Sequence, residues 1–110
     1  MRNDGAKAMT ARVEVLFFEG CPNHRPAVEL ANRVVAEVAP GAHVLEVEVR
    51  DPEDAARLRF LGSPTIHVDG VDVEPEARSR TDYAMSCRIY AGAGLPPREM
   101  IEAALAEARH

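Results

Sequence analysis

The chain has 110 residues, which suits one domain with a single core between a sheet and its covering helices. Hydrophobic residues make up 46% and charged residues 28%, an ordinary globular composition, and no apolar run approaches the roughly 20 residues that cross a bilayer. The formal net charge of -5 gives no basic field to attract nucleic acid or anionic lipid, so neither nucleic acid nor a membrane is an expected partner.

Residues 1–11 mix Arg2, Asp4 and Lys7 with small side chains and lack an apolar stretch. They are expected to form a disordered lead-in rather than a signal peptide, with the domain over 12–110 and the cytoplasm as the default location. Residues 13–18 (VEVLFF) are almost continuously apolar, β-branched or aromatic, which predicts a strand buried on both faces in the middle of a sheet. A helix is expected over 23–39. Ala27, Leu30, Ala31, Val34, Val35 and Val38 recur on one stripe of it, opposite Glu29, Asn32, Arg33 and Glu37, and Pro40-Gly41 stops it.

Residues 43–49 alternate, with Val44, Val47 and Val49 against Glu46 and Glu48, and predict a second strand. Asp51-Pro52 then opens a second helix: Asp51 can cap it, Pro52 suits the first position, and Glu53 and Asp54 favour its positive end. Gly62 closes it. Residues 65–68 and 71–73 flank Asp69-Gly70, a turn pair that predicts a tight hairpin. Residues 74–94 form the least regular stretch and read as a long connection with room for a short helical turn. Pro96-Pro97 opens a last helix carrying Met100, Ile101, Ala104, Leu105 and Ala108. The order β-α-β-α-β-β-α predicts an α/β domain with a mixed four-stranded sheet and helices on both faces.

The two cysteines, Cys21 and Cys87, lie far apart and form no Cys-x-x-Cys. This is neither the dense spacing of a disulfide scaffold nor the paired spacing of a structural zinc site. Cys21 falls between a central strand and a helix, in Gly20-Cys21-Pro22-Asn23-His24. Unpaired N–H groups and the helix dipole there favour thiolate over thiol; His24 and Arg25 add positive potential if they lean toward the sulfur, and Glu19 opposes them. The plainer alternative is a small buried hydrophobe, the usual state of a free cysteine. His43 and His67 fall on or beside strands, where lone histidines are usually structural or exposed. Asp69, Asp72, Glu74 and Glu76 read as solvation of the hairpin rather than a cation site.

The strand ending in Phe17-Phe18, Cys21-Pro22 at the next helix start, and Ser63-Pro64-Thr65 ahead of a strand together resemble the thioredoxin-like superfamily. The resemblance covers nearly all of the chain after Ala11. More narrowly, residues 58–65 and the segment Cys87-Arg88-Ile89-Tyr90 look like small bacterial thioredoxin-like proteins, some of them connected with alkylmercury lyase or mercury resistance. The resemblance implies a thioredoxin-like fold, Cys21 as nucleophile, and Pro64 as a cis-proline facing it. It implies no cofactor. This chain departs from the family where a resolving cysteine would stand, three residues after the nucleophile: His24 occupies that place. Cys87 lies in the connection that, in the family, approaches the same end of the sheet. It is either a distant resolving thiol or a residue packed under the last helix with Ile89 and Tyr90. The candidate catalytic set is therefore Cys21, Cys87, Pro64 and His24, acting on a thiol or disulfide substrate, small or protein. Two other readings stay open. Cys21 and Cys87 could ligate a soft ion such as Hg(II) or Cu(I), and the domain could be a redox-inert interaction module.

Overall fold

The structure is a computed structural model and describes residues 11–108. The expected lead-in falls outside them except for Ala11, which is buried and whose carbonyl accepts a 2.9 Å bond from the His43 N–H.

Strand β1 (Arg12–Phe17) lies at the centre of the sheet, between β2 (His43–Glu48) and β3 (Thr65–Val68), and β4 (Val71–Asp72) closes the other edge. β2 runs parallel to β1, whereas β3 is antiparallel to β1 and to β4. The apolar run at 13–18 is therefore central, with Val13, Val15 and Leu16 buried. β2 is an edge strand, half-buried at Val44 and Val47, with Leu45, Glu46 and Glu48 exposed. At the hairpin, Asp69 (φ 52) and Gly70 (φ 82) both have positive φ, the backbone of a two-residue turn whose twist matches its strands. The Asp69 carboxylate also accepts the Arg12 N–H at 2.9 Å, tying the turn to the start of β1.

Among the described residues, three α-helices cover the sheet. Helix α1 (His24–Val38) buries Ala27, Leu30, Ala31, Val34 and Val35. They meet Val13, Val15, Ile66 and Val68 of the sheet, and Ile101, Ala104 and Leu105 of helix α3 (Arg98–Ala108), in one core. Val38, assigned by periodicity to the same stripe, is exposed in the last turn. Arg98 of α3 links the two helices by an ion pair to Glu37 of α1 at 2.7 Å, and pairs with Glu102 within its own helix at 2.7 Å. Helix α2 (Pro52–Leu58) covers the opposite face, where Leu16, Val49, Ala55 and Phe60 form a second cluster. Its start follows the sequence expectation: the Asp51 carboxylate accepts the Asp54 N–H at 2.8 Å, and Pro52 takes the first turn. The helix ends at Arg59, which is left-handed (φ 59).

The connection after β4 holds a 3-10 turn (Pro75–Ala77) and then an extended run that returns to the sheet. Here the side chains alternate: Arg88 and Tyr90 are buried, while Cys87 and Ile89 are exposed. The Arg88 guanidinium forms two bonds to the Asp72 carboxylate (2.8 and 3.0 Å), one to Glu74 (2.9 Å) and one to the Thr65 hydroxyl (3.1 Å). It lies 4.5 Å from the centre of the Tyr90 ring, and the Tyr90 hydroxyl donates to the Pro64 carbonyl at 2.7 Å. Burial works against the Arg88 charge, but the bonds to Asp72 and Glu74 outweigh it and keep the group protonated. Burial likewise raises the Tyr90 phenol well above its usual range. Asp72 and Glu74 therefore do not solvate the hairpin as the sequence suggested; they neutralise a cation brought in from the connection. The Arg88 Nε has no hydrogen-bond partner among the described residues.

Removing one member of a buried pair strands the other charge, which typically costs about 3–5 kcal/mol against a total stability of about 5–15 kcal/mol. Arg88→Met should lower the unfolding free energy by about that amount. The double change Arg88→Met with Asp72→Leu should regain most of it, as read by urea denaturation of both variants.

Candidate functional site

The C-terminal end of β1 passes into a tight turn in which the Cys21 N–H donates to the Phe18 carbonyl (3.2 Å). Gly20 carries the turn with a φ of +91, which an L side chain would adopt only with strain. The Cys21 carbonyl in turn accepts the His24 N–H at 3.2 Å, so the cysteine stands immediately ahead of the first turn of α1. Its side chain is half-buried and its thiol is free. Asn23, next in line, makes no side-chain cap to the helix. Its carboxamide lies against Gly94 instead, so closely that a Cβ on Gly94 would stand 2.3 Å from the Asn23 nitrogen.

Ser63 joins this turn to the rest of the site. Its hydroxyl accepts the Phe18 N–H at 3.4 Å, and the Ser63–Pro64 peptide bond is cis, as the sequence led us to expect. On its other side Ser63 pairs with the connection: its N–H donates to the Ser86 carbonyl (2.7 Å) and its carbonyl accepts the Arg88 N–H (3.0 Å). Cys87 lies between those two bonds, directly opposite Ser63 in a parallel bridge. The Ala84 N–H adds a third bond to the Phe60 carbonyl at 3.1 Å. Close approach of the two segments depends on Gly62: a Cβ there would meet the Ser86 oxygen at 3.0 Å and the Arg88 nitrogen at 3.1 Å.

Cys21, Ser63, Pro64 and Cys87 thus gather at one end of the sheet, outside the C-terminal ends of the parallel pair β1 and β2. Ligand sites of α/β sheets favour that end. An open hollow of about 520 Å³ lies alongside, walled by Phe18 and Glu19, which lead into the Cys21 turn, by Val49 and Arg50, and by Met85 from the connection. Cys87 is exposed and free, on the same side of its extended run as Ile89, which is 61% exposed. It does not pack under α3 with Ile89 and Tyr90; Arg88 and Tyr90 go inward, and Cys87 and Ile89 outward.

His24 is committed elsewhere. Its ring stacks on Phe17 (3.5 Å between centroids, 6° between planes), and its Nε2 meets the Glu46 carboxylate of β2 at 2.7 Å. A carboxylate partner of this kind follows from β2 lying beside β1, which the local sequence around Cys21 does not reveal. His67 is buried on β3, 4.0 Å from Asp72, and burial pushes its pKa below the usual value while Asp72 and Glu14 oppose that shift. Among the described residues, no group of three or more His, Cys, Asp or Glu side chains is placed to hold a metal ion. The soft-ion reading therefore has only the two thiols as donors.

Two outcomes follow from this geometry. Gly62→Ala should destabilise the domain by about 1–3 kcal/mol through its positive φ, and it should loosen the Cys87 segment, seen as faster amide exchange at Ser63 and Arg88. His67, with a folded pKa below its unfolded value of about 6.5, binds its proton more readily in the unfolded chain. Stability should fall as pH drops below about 6.5, by at most about 1.4 kcal/mol per pH unit from this group. His67→Gln should flatten that part of the profile in denaturant melts. No protein-family model matches the chain, and no curated protein matches it either, so the site is read from its own geometry.

Proposed function

We propose that this is a thioredoxin-like thiol protein that exchanges disulfides through Cys21, with Cys87 as the resolving thiol. The element order, the sheet order β2-β1-β3-β4, and α1 and α3 on one face with α2 on the other support the family assignment. One observation carries the functional reading: Ser63 holds the Cys21 turn with its hydroxyl and the Cys87 segment with its backbone.

In the proposed cycle the Cys21 thiolate attacks a substrate disulfide, forms a mixed disulfide, and releases the first substrate thiolate. The Cys87 thiolate then attacks the Cys21 sulfur, forms the Cys21–Cys87 disulfide, and releases the second. The substrate gains two electrons and the protein loses them, and an external thiol reductant restores the dithiol. The second step needs the two Cα atoms within roughly 7 Å. His24, bonded to Glu46 and stacked on Phe17, occupies the place of a local resolving cysteine and leaves the distant one to act.

A chromogenic aryl disulfide tests the order of events. The wild type should release two aryl thiolates per chain, keep no adduct, and lose the mass of two hydrogens. Cys87→Ser should release one and retain the aryl group on Cys21. Cys21→Ser should react more slowly and keep its adduct on Cys87. A wild-type chain that retains the adduct overturns the resolving role of Cys87, and equal rates in the wild type and Cys21→Ser overturn the role of Cys21.

A further inference from the structure

A second concavity, which involves neither thiol, lies over the β3–β4 hairpin beside the returning connection. It encloses about 200 Å³, and its walls include Arg59, His67, Val71, Arg78, Arg80 and Tyr83. Three cations therefore line one small space. Arg59 makes no ion pair among the described residues; its Nε–H reaches only the Tyr83 hydroxyl, at 3.4 Å. Arg78 and Arg80 pair with Glu107 and Asp82, whose side chains are 59% and 66% exposed. Arg78 also donates its Nε–H to the Asp72 carbonyl at 2.7 Å, and Arg80 holds Asp82 by two bonds (3.0 and 2.7 Å). Because both carboxylates are largely exposed, a doubly charged anion in the cavity can compete with them for the guanidinium nitrogens. The carboxylate in the wall, Asp72, is already occupied by two bonds from Arg88 and one from the Glu74 N–H.

Two features beyond charge point to a ligand. His67 is only 4% exposed, yet its Nε2 stands 4.0 Å from Asp72, beyond hydrogen-bond reach, and neither ring nitrogen has a hydrogen bond among the described residues. The ring lines the cavity, so a molecule placed there can reach a nitrogen that no protein group among the described residues engages. Arg59 also holds a left-handed backbone (φ 59) at the end of α2, a position where glycine is favoured. The backbone there does not call for arginine, whereas the cavity uses its side chain.

We propose that this cavity binds the phosphate group of a small molecule. Guanidinium forks match phosphate oxygens in pairs. A phosphate monoester, with a charge of about -2 at neutral pH, also answers several cations better than a single carboxylate does. The neutral His67 ring can donate one N–H to the same group, and Val71 leaves one apolar wall for a short carbon body.

The test titrates inorganic phosphate and glycerol phosphate into the full chain at constant ionic strength, followed by amide NMR shifts. Saturable shifts centred on Gly70, Val71, Ala77 and Tyr83 are expected, with acetate much weaker. Arg80→Gln should weaken phosphate binding at least about tenfold. Arg59→Gly should do the same while melting no lower than the wild type, because glycine relieves the left-handed position. Arg33→Gln, exposed on α1, should bind as the wild type does. Shifts that fail to saturate, acetate binding as tightly as phosphate, or unchanged affinity in both Arg59→Gly and Arg80→Gln would overturn the proposal.

Discussion

A guanidinium group cannot stay charged inside a protein unless its counter-charges arrive with it, and the organisation of this domain around Arg88 follows from that constraint. Arg88 is 3% exposed, and its partners come from three places in the chain: Thr65 on β3, Asp72 on β4, and Glu74 just beyond. Tyr90 lies beneath the cation and fastens the same segment to the Pro64 carbonyl. A slip of one residue along the connection would turn Arg88 outward and leave two carboxylates facing an isoleucine or a cysteine. The ion pair thus selects one register for a segment with little regular structure to select it otherwise. An apolar cluster of equal volume could match its stability, but would discriminate less sharply among neighbouring registers.

The position of Cys87 is a consequence of that register. With Arg88 and Tyr90 turned inward, the alternation of extended backbone sends Cys87 and Ile89 outward. The bonds from Ser86 and Arg88 then fix the thiol's backbone opposite Ser63. Gly62 lets the two backbones approach closely enough for those bonds to form. Electrostatics inside the domain and the geometry of a thiol on its surface are therefore parts of one arrangement.

Much of this architecture was legible from residue order. The apolar run at 13–18 has no polar face and so belongs inside a sheet; the α1 stripe repeats over four turns; Asp69-Gly70 admits few backbones other than the tight turn it makes. The connection resisted reading for a definite reason. Hydropathy ranks Cys87 and Ile89 as inward and Arg88 as outward, the reverse of the structure, because a buried arginine can be recognised only together with its partners. Asp72 lies 16 residues away in the sequence, in a hairpin where an acid normally meets water. The contact of His24 with Glu46 was hidden in the same way: it joins residues 22 apart through the parallel pairing of β1 and β2. Cys21 could be placed at the strand-to-helix junction from sequence, but its half-buried state depends on how the turn at Gly20 closes.

The outer edge of β2 bears on how copies of the domain meet one another. An edge strand offers unpaired backbone groups to any chain that can lie alongside it. Here Glu46 and Glu48 project from that edge strand and are exposed, on a chain of net charge -5. A second copy adding its own β2 in antiparallel fashion would bring carboxylates toward carboxylates on the same face, and like charges across a strand pair are destabilising. Leu45, 41% exposed on the other face, offers a single apolar contact against that repulsion. The sheet is thus open on this side in its hydrogen bonding but closed to its own kind by charge.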